Sequence, residues 1–225
     1  MSFPQAKRVG NPSFSERFRT SRNDKLSRTY VAIYGMILIF CLIFPVPALA
    51  GVPLDTVKGY ADKVLDVLRD PALKADAAKQ TKKDKLRAIS EKMFDFTELS
   101  RRTLANNWKK LSPEQQKEFV ELYTSLLEDA YSKKIMAYSD EKITFTKEVP
   151  LSEKTVEVQS TVLKKSAETP IYYRVILRDG AWRVYDVIVE GVSLINNYRS
   201  QFKEILANKP PESLLETLRK KVGKA

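Results

Sequence analysis

The chain of 225 residues contains no histidine, one cysteine and seven glycines. Without histidine there is no Ser-His-Asp or Cys-His catalytic pair, no imidazole metal ligand and no ordinary side chain that titrates near neutral pH. The glycines lie too far apart for a dinucleotide-binding fingerprint or a Walker-type phosphate loop. These absences exclude most familiar classes of enzyme.

The amino-terminal segment has the composition of an export signal. Residues 1–29 are polar and basic, an apolar run follows from Val31 to Phe44, and the small-residue triplet Ala48-Leu49-Ala50 comes next. This order predicts a signal peptide over residues 1–50 that is cleaved after Ala50. The alternative is an uncleaved anchor. At 1.5 Å per residue, however, the apolar run spans only about 21 Å, less than the ~30 Å hydrocarbon core of a bilayer.

Cleavage would change the composition of the exported chain. Nearly half of the net charge of +11 lies in residues 1–50, and Cys41 would be removed with them. The exported protein would therefore have no disulfide and would depend on its hydrophobic core. We predict a single domain over residues 51–225.

Helical periodicity covers most of this domain. Apolar residues recur every three or four positions in five stretches, 53–70, 86–104, 113–138, 194–206 and 212–222. Residues 74–83 read as a loop or a frayed helix, so that about six helices are expected. The clearest start signal is Ser112-Pro113-Glu114-Gln115, in which Ser112 caps the helix, Pro113 takes its first position and Gln115 reaches back to the cap.

Between residues 143 and 189 the apolar period changes to two, which predicts four antiparallel strands. A turn at Pro150 separates the first two strands. Asp179-Gly180 joins the last two and favours a type I′ turn. That turn sets a register with four predicted pairs: Leu177 with Trp182, Val175 with Val184, Tyr173 with Asp186, and Ile171 with Ile188.

This register gives the hairpin one apolar and one basic face. Arg174, Arg178, Arg183, Tyr172 and Tyr185 share the outward face, either as ordinary solvated surface or as a docking surface for acidic partners or anionic head groups. Asp186 falls on the apolar face, where a buried carboxylate needs a partner. We predict a structural brace, with a hydrogen bond from Tyr173 or an ion pair with Arg199.

These elements predict an α+β fold in which a four-stranded antiparallel sheet is covered on one face by about six helices. Two segments then resemble a known family: RDGAWRVYDVIVEGVSLINNYRSQF, and LSPEQQKEFVELYTSLLEDAY with RRTLANNW before it. They are similar to the MlaC or toluene-tolerance family, and the likeness runs over roughly residues 54–220. The resemblance implies a curved sheet in an NTF2-like cone with an apolar cavity.

The resemblance also implies a function. Its members are periplasmic phospholipid-binding proteins that serve an ABC transporter of the MCE type. A bound phospholipid is then the cargo, with its acyl tails between sheet and helices. The implied partners are an outer-membrane lipoprotein–porin complex and the inner-membrane transporter, and the implied role is outer-membrane lipid asymmetry.

A carrier of this kind needs an apolar lining. Each exposed CH₂ costs about 0.8 kcal/mol, so a two-chain lipid does not cross water unaided at useful rates. For any single residue of the expected lining, a solid core is an equally good interpretation, because periodicity does not separate the two. The predicted lipid-binding residues are Phe119, Leu122, Tyr123, Leu126, Val158, Val162, Tyr173, Val175, Leu177, Trp182, Val184, Ile188, Ile195, Tyr198 and Phe202.

Three other functions compete with a lipid carrier. Nucleic-acid binding is suggested by the pI of 9.6, but export would separate the protein from most nucleic acid. A lipid-modifying enzyme would need Asp186 or Glu190 as its base, without histidine and without a visible nucleophile–base spacing. An NTF2-like scaffold with a solid core is also compatible with the pattern. We therefore predict a monomeric, non-enzymatic carrier with no cofactor, no metal and no nucleic-acid partner.

Overall fold

The predicted fold class, α+β with an antiparallel sheet and six helices, is confirmed by the computed structural model. It describes residues 52–137, 141–164, 167–207 and 209–223. The predicted signal peptide and its cleavage site lie outside these residues. Before the sheet come α1 (Val52–Arg69), α2 (Lys79–Met93), α3 (Phe96–Leu104) and α4 (Pro113–Met136); after it come α5 (Leu194–Leu206) and α6 (Pro211–Lys221).

The sheet has five strands rather than four. In order across the sheet these are β1 (Lys142–Ser152), β2 (Thr155–Lys164), β3 (Ala167–Arg178), β4 (Ala181–Val189) and β5 (Val192–Ser193), each antiparallel to the next. The two residues of β5 are too few for an alternation to reveal them. β1 also continues through Pro150, which pairs with Val156, so the predicted turn at Pro150 is wrong. β1 is an edge strand in this sheet, and proline is tolerated at such an edge.

Two helix boundaries differ from the sequence prediction. The predicted continuous helix over 86–104 is two helices, because Phe94 is extended and Asp95 caps α3 by accepting a hydrogen bond from the Glu98 amide at 2.8 Å. At the other end, α2 begins at Lys79, inside the stretch expected to be loop or frayed helix. The capping box at Ser112 is present as predicted.

The hairpin register is correct near its turn and wrong beyond it. Leu177 pairs with Trp182 and Val175 with Val184. A β-bulge at Tyr185 then shifts β4 by one residue, so that Arg174 rather than Tyr173 lies opposite Asp186. Because side chains alternate along a strand, one extra residue exchanges the two faces. Ile188 therefore pairs with Tyr172 and leaves the predicted apolar face, as does Asp186.

We name the two faces of the sheet by their commonest side chains. Register and alternation place Val156, Val158, Val162, Val175, Val184, Val187 and Val189 on one side, the valine face. They place Arg174, Arg178, Arg183, Tyr172, Ile176, Asp186 and Ile188 on the other side, the arginine face.

Helices contact both faces, which corrects the prediction that only one is covered. On the valine face, Val57 of α1 and Met93 at the end of α2 join the buried valines in one apolar cluster. On the arginine face, Tyr185 and Ile176 pack against a second cluster, built from α3 to α6. We call these the sheet cluster and the helix cluster. Phe94 packs against both of them.

Candidate functional site

Helix α1 lies along the first strand and over the valine face. Its Leu54 amide donates to Glu148 Oε1 at 2.5 Å, and Arg69 Nη2 donates to the Glu141 carbonyl at 3.4 Å. The helix packs against β1, β2 and β4. It therefore covers part of the valine face.

The valine face is buried at one end and half open at the other. Near the hairpin turn, Val156, Val175, Trp182 and Val184 are buried in the sheet cluster. Farther from the turn, the apolar side chains are only half-buried, and Val189 is 38% exposed. The residues of this open half are Ile143, Phe145, Val162, Ile171, Tyr173, Val187 and Val189. A contiguous apolar surface left partly open is typical of a binding site.

The polar groups in the open half are satisfied locally. Ser160 Oγ donates to the Ile171 carbonyl at 2.7 Å, and the Tyr173 ring stacks on Phe145 with centroids 6.3 Å apart. Burial raises the pKa of Tyr173 to about 12, against the opposing effect of its hydrogen bond with Ser160. The phenol is neutral at physiological pH with or without this shift, so it brings no charge to the apolar surface.

The helix cluster is a tightly packed aromatic core. The rings of Phe119, Tyr123, Tyr198 and Phe202 have centroids 5.2 to 5.7 Å apart, mostly tilted or edge-to-face. Beside it, a cavity of about 190 Å³ is lined by Leu104, Arg199, Phe202 and neighbouring residues. Ligand pockets usually measure ~300–1,000 Å³, so this cavity would have to enlarge to hold a two-chain lipid.

The structure thus divides the predicted lipid-binding residues between two places. Val158, Tyr173, Val175, Leu177, Trp182 and Val184 belong to the sheet cluster, and Val162 lies beside them in the open half. Phe119, Leu122, Tyr123, Leu126, Ile195, Tyr198 and Phe202 belong to the helix cluster. Ile188 is buried on the arginine face. The expectation that one sheet wall faces the helix residues across a single space is not met in this conformation.

Several residues of the candidate site are absent from the sequence prediction. Leu54, Val57 and Tyr60 belong to a stripe that periodicity detects on α1, but nothing in that stripe reveals which surface it covers. Phe145 alternates with polar neighbours on β1 and could have been included on that signal. Val187 could not have been included in the prediction, because only the bulge brings it to the valine face.

The arginine face is not simply solvated surface, which is one of the two interpretations that the sequence allows. Arg178 reaches Asp95 at 2.7 Å and Glu98 at 3.1 Å, and the guanidinium of Arg102 lies 4.1 Å above the centroid of the buried Tyr185 ring. Arg174 pairs with Glu157 at 3.2 Å. Arg178 and Arg102 thus join the sheet to α3, whereas Arg174 joins β3 to β2 within the sheet.

Asp186 is a brace, but with partners other than those expected. Ser193 Oγ donates to Asp186 Oδ2 at 2.7 Å, and the Ile195 amide donates to Oδ1 at 3.1 Å. Arg199 instead donates to the Arg102 carbonyl at 2.7 Å. With both oxygens committed to the start of α5, Asp186 is poorly placed to act as a general base.

Two further features are absent from the described residues. None of the helices there combines the length and the apolar character needed to cross a bilayer. Within the same ranges, no group of three or more acidic, cysteine or histidine side chains is arranged to hold a metal ion.

Fold and site together define an α+β protein that carries a partly open apolar sheet face contacted by its helix α1. Comparison with known proteins then identifies the family. The family model described as MlaC protein matches residues 58–220, and the chain therefore belongs to the MlaC family, as the sequence resemblance predicts.

Individual relatives are distant. Over 119 residues the chain is 24% identical to the intermembrane phospholipid transport system binding protein MlaC of Haemophilus influenzae, a match covering 51% of this chain and 56% of that protein. Over 173 residues it is 24% identical to the toluene tolerance protein ttg2D of Pseudomonas putida. This match covers 76% of this chain and 80% of that protein. A phospholipid-binding protein from Ralstonia solanacearum, solved in complex with a phospholipid, has the same fold. Its TM-score is 0.67 at 22% identity, covering 76% of this chain and 97% of that one.

Proposed function

We propose that this protein is a periplasmic carrier that binds one phospholipid by its acyl chains. It shuttles the lipid between an outer-membrane lipoprotein–porin complex and an inner-membrane MCE-type ABC transporter, and so contributes to outer-membrane lipid asymmetry. Its family and the phospholipid-binding function named for its relatives support this assignment. The observation that carries it is the half-open valine face.

Physical chemistry supports a carrier with this surface. Each CH₂ transferred from water to an apolar environment contributes about 0.8 kcal/mol, so a diacyl chain gains strongly from a sheltered apolar face. The open half of the valine face offers hydrocarbon and two aromatic rings, one of which is the neutral phenol of Tyr173. The lipid would enter by displacing α1 or parting the aromatic rings, since the cavity beside Phe202 is too small.

The proposal is of a binding protein, not an enzyme. The buried carboxylates Asp95 and Glu98 pair with Arg178, Glu141 pairs with Lys164, and Asp186 accepts a hydrogen bond from Ser193. Each of them is thus engaged by another part of the fold. Transport by this protein therefore requires affinity for lipid and docking, with no chemical step.

The decisive experiment is native mass spectrometry of the protein purified from the periplasmic fraction. We expect about one phospholipid per chain, identified after extraction. Val162→Glu should abolish the bound lipid, because it places a charge in the open half of the valine face. The matched control is Val149→Glu, which changes the same residue type on β1, also half-buried, on the opposite face.

Three outcomes would contradict the proposal. A chain that carries no lipid and cannot be loaded from liposomes would favour a scaffold with a solid core. Equal loss of lipid in both variants would show that the valine face is not the lipid-binding site. Turnover of added phospholipid by the wild type would indicate an enzyme.

A further inference from the structure

A second surface, which shares no residue with the valine face, groups four lysines around one hollow. The short 3₁₀ turns between α1 and α2 meet the end of α4 at a depression of about 330 Å³. Lys74, Lys79, Lys82 and Lys133 line it, above a floor that includes Leu73 and Met136. We call this the lysine depression.

None of these four ammonium groups has a carboxylate partner among the described residues. Among the described residues, Lys74, Lys79 and Lys133 form no ion pair, and Lys82 donates only to the Leu68 carbonyl, at 3.2 Å. Asp76 also lines the depression and forms no ion pair with them there. Some cations elsewhere are paired, as Lys164 is with Glu141 at 2.7 Å, and others such as Lys109 and Lys110 form no ion pair among the described residues. What distinguishes this place is that four lysines line one hollow.

Unpaired like charges around one hollow repel each other, so their arrangement favours a partner that brings negative charge from outside. The residue type suggests which partner. The lining contains lysine but no arginine. Arginine is the residue suited to bidentate recognition of carboxylates, whereas lysine supplies a mobile point charge on a long apolar stem. Point charges beside an apolar floor match a fluid surface of lipid phosphates better than an acidic protein surface.

We propose that the lysine depression docks the protein on the anionic surface of a phospholipid bilayer. The phosphates of the head groups bind the ammonium groups, and the lysine stems and Met136 face the upper part of the acyl region. This surface is separate from the valine face. Membrane docking and cargo binding can therefore be tested independently.

The test compares Lys74→Gln/Lys79→Gln with Lys109→Gln/Lys110→Gln, which removes the same charge from exposed lysines outside the depression. Co-sedimentation is measured with vesicles of phosphatidylcholine alone and of equal parts phosphatidylcholine and phosphatidylglycerol. The wild type should bind only the anionic vesicles. Each lysine near an anionic surface contributes about 1 kcal/mol, so the first variant should bind roughly 30-fold more weakly and the control less than threefold.

Salt dependence and cargo give separate readouts. Raising the ionic strength to 1 M shortens the Debye length to about 3 Å and should release the wild type from the vesicles. Native mass spectrometry should find the same bound phospholipid in all three proteins. A wild type that carries no lipid yet binds anionic vesicles would refute the proposed cargo and support this inference.

The inference is overturned if the wild type ignores anionic vesicles or binds neutral ones equally well. It is also overturned if both double variants weaken binding alike. Loss of lipid delivery in the depression variant without any vesicle binding by the wild type would mean that the depression docks on a protein. All three proteins have the same amino-terminal segment, so its contribution cancels in the comparison.

Discussion

Glu98 is a buried carboxylate surrounded by guanidinium groups. Its side chain is 1% exposed, and Arg101 and Arg102 each approach Oε1 at 2.6 Å, while Arg178 reaches Oε2 at 3.1 Å. Burial alone would raise the pKa of Glu98, but the hydrogen bonds from Arg101 and Arg102 outweigh it and lower the pKa to about 2. The charged form is therefore the one the fold stabilises.

Replacing Glu98 by Gln should destabilise the protein by about 2–3 kcal/mol at pH 7. This is less than the 3–5 kcal/mol typical of a fully enclosed ion pair, because the arginines are partly exposed. The pKa is lower in the folded than in the unfolded state. The stabilisation is thus complete above the ordinary pKa of 4.5 and is lost as the pH falls toward 2. Urea unfolding at several pH values should find this acid-dependent loss in the wild type and a flatter profile in the variant.

Glu118→Gln is the control for Glu98→Gln. Glu118 also pairs with an arginine at 2.6 Å, but both side chains are about one-third or more exposed. Solvent screens such a pair, so its removal should cost less stability than removal of Glu98. Equal losses in the two variants would contradict the argument that burial makes the Glu98 network important.

At the scale of elements, the β3–β4 hairpin depends on its turn. Asp179 and Gly180 both have positive φ, 52° and 74°, as a type I′ turn requires. Gly180→Ala should cost about 1 kcal/mol, because a Cβ is strained at this φ although no neighbouring atom lies within 4 Å. Thermal unfolding measures the loss.

Gly59→Ala tests the same substitution within a helix. Gly59 lies inside α1 and also has no atom within 4 Å of an added Cβ. Alanine is the better helix former, so this variant should gain about 0.5–1 kcal/mol. If Gly180→Ala and Gly59→Ala changed the stability in the same direction, backbone conformation would not explain the two effects.

The same hairpin shows which features of a strand pair can be predicted from the sequence and which cannot. Asp179-Gly180 identifies the turn and the first two pairs, because turn chemistry acts over neighbouring residues. The bulge at Tyr185 depends on tertiary contacts instead, since Tyr185 is buried beneath Arg102 from another element. A prediction from alternation alone has no bulge at Tyr185. It therefore keeps the same register to the end of the hairpin and assigns Asp186 and Ile188 to the wrong face. The break at Phe94 is comparable, because its extended backbone is followed by an Asp95 amide bonded to the Val184 carbonyl.

The candidate site was predictable to a similar extent. Period-two valines identify one apolar face of the sheet, and helical stripes identify residues that are buried or half-buried. Which stripe covers which face depends on how the elements pack, and no pairing signal in the sequence connects α1 with β1. The α1 residues of the site, Val57 foremost, could therefore not be predicted.

For the whole molecule, a bound lipid and the folded state are linked thermodynamically. A ligand that binds only the native state adds about 2.7 kcal/mol at one hundred times its Kd. For a domain of 150–250 residues each kcal/mol raises Tm by about 2–4 °C, so reloading a delipidated protein should raise Tm by about 5–10 °C. Calorimetry before and after loading measures the shift.

The linkage also distinguishes a carrier from a solid core. In a carrier, stripping the lipid leaves the valine face half open, so the empty protein should unfold at a lower temperature than the filled one. Val162→Glu should then unfold close to the empty wild type and be insensitive to added lipid, whereas Val149→Glu should retain the shift. If lipid left Tm unchanged in all three proteins, the open valine face would contribute nothing to binding, and the phospholipid would have to lie elsewhere or be absent.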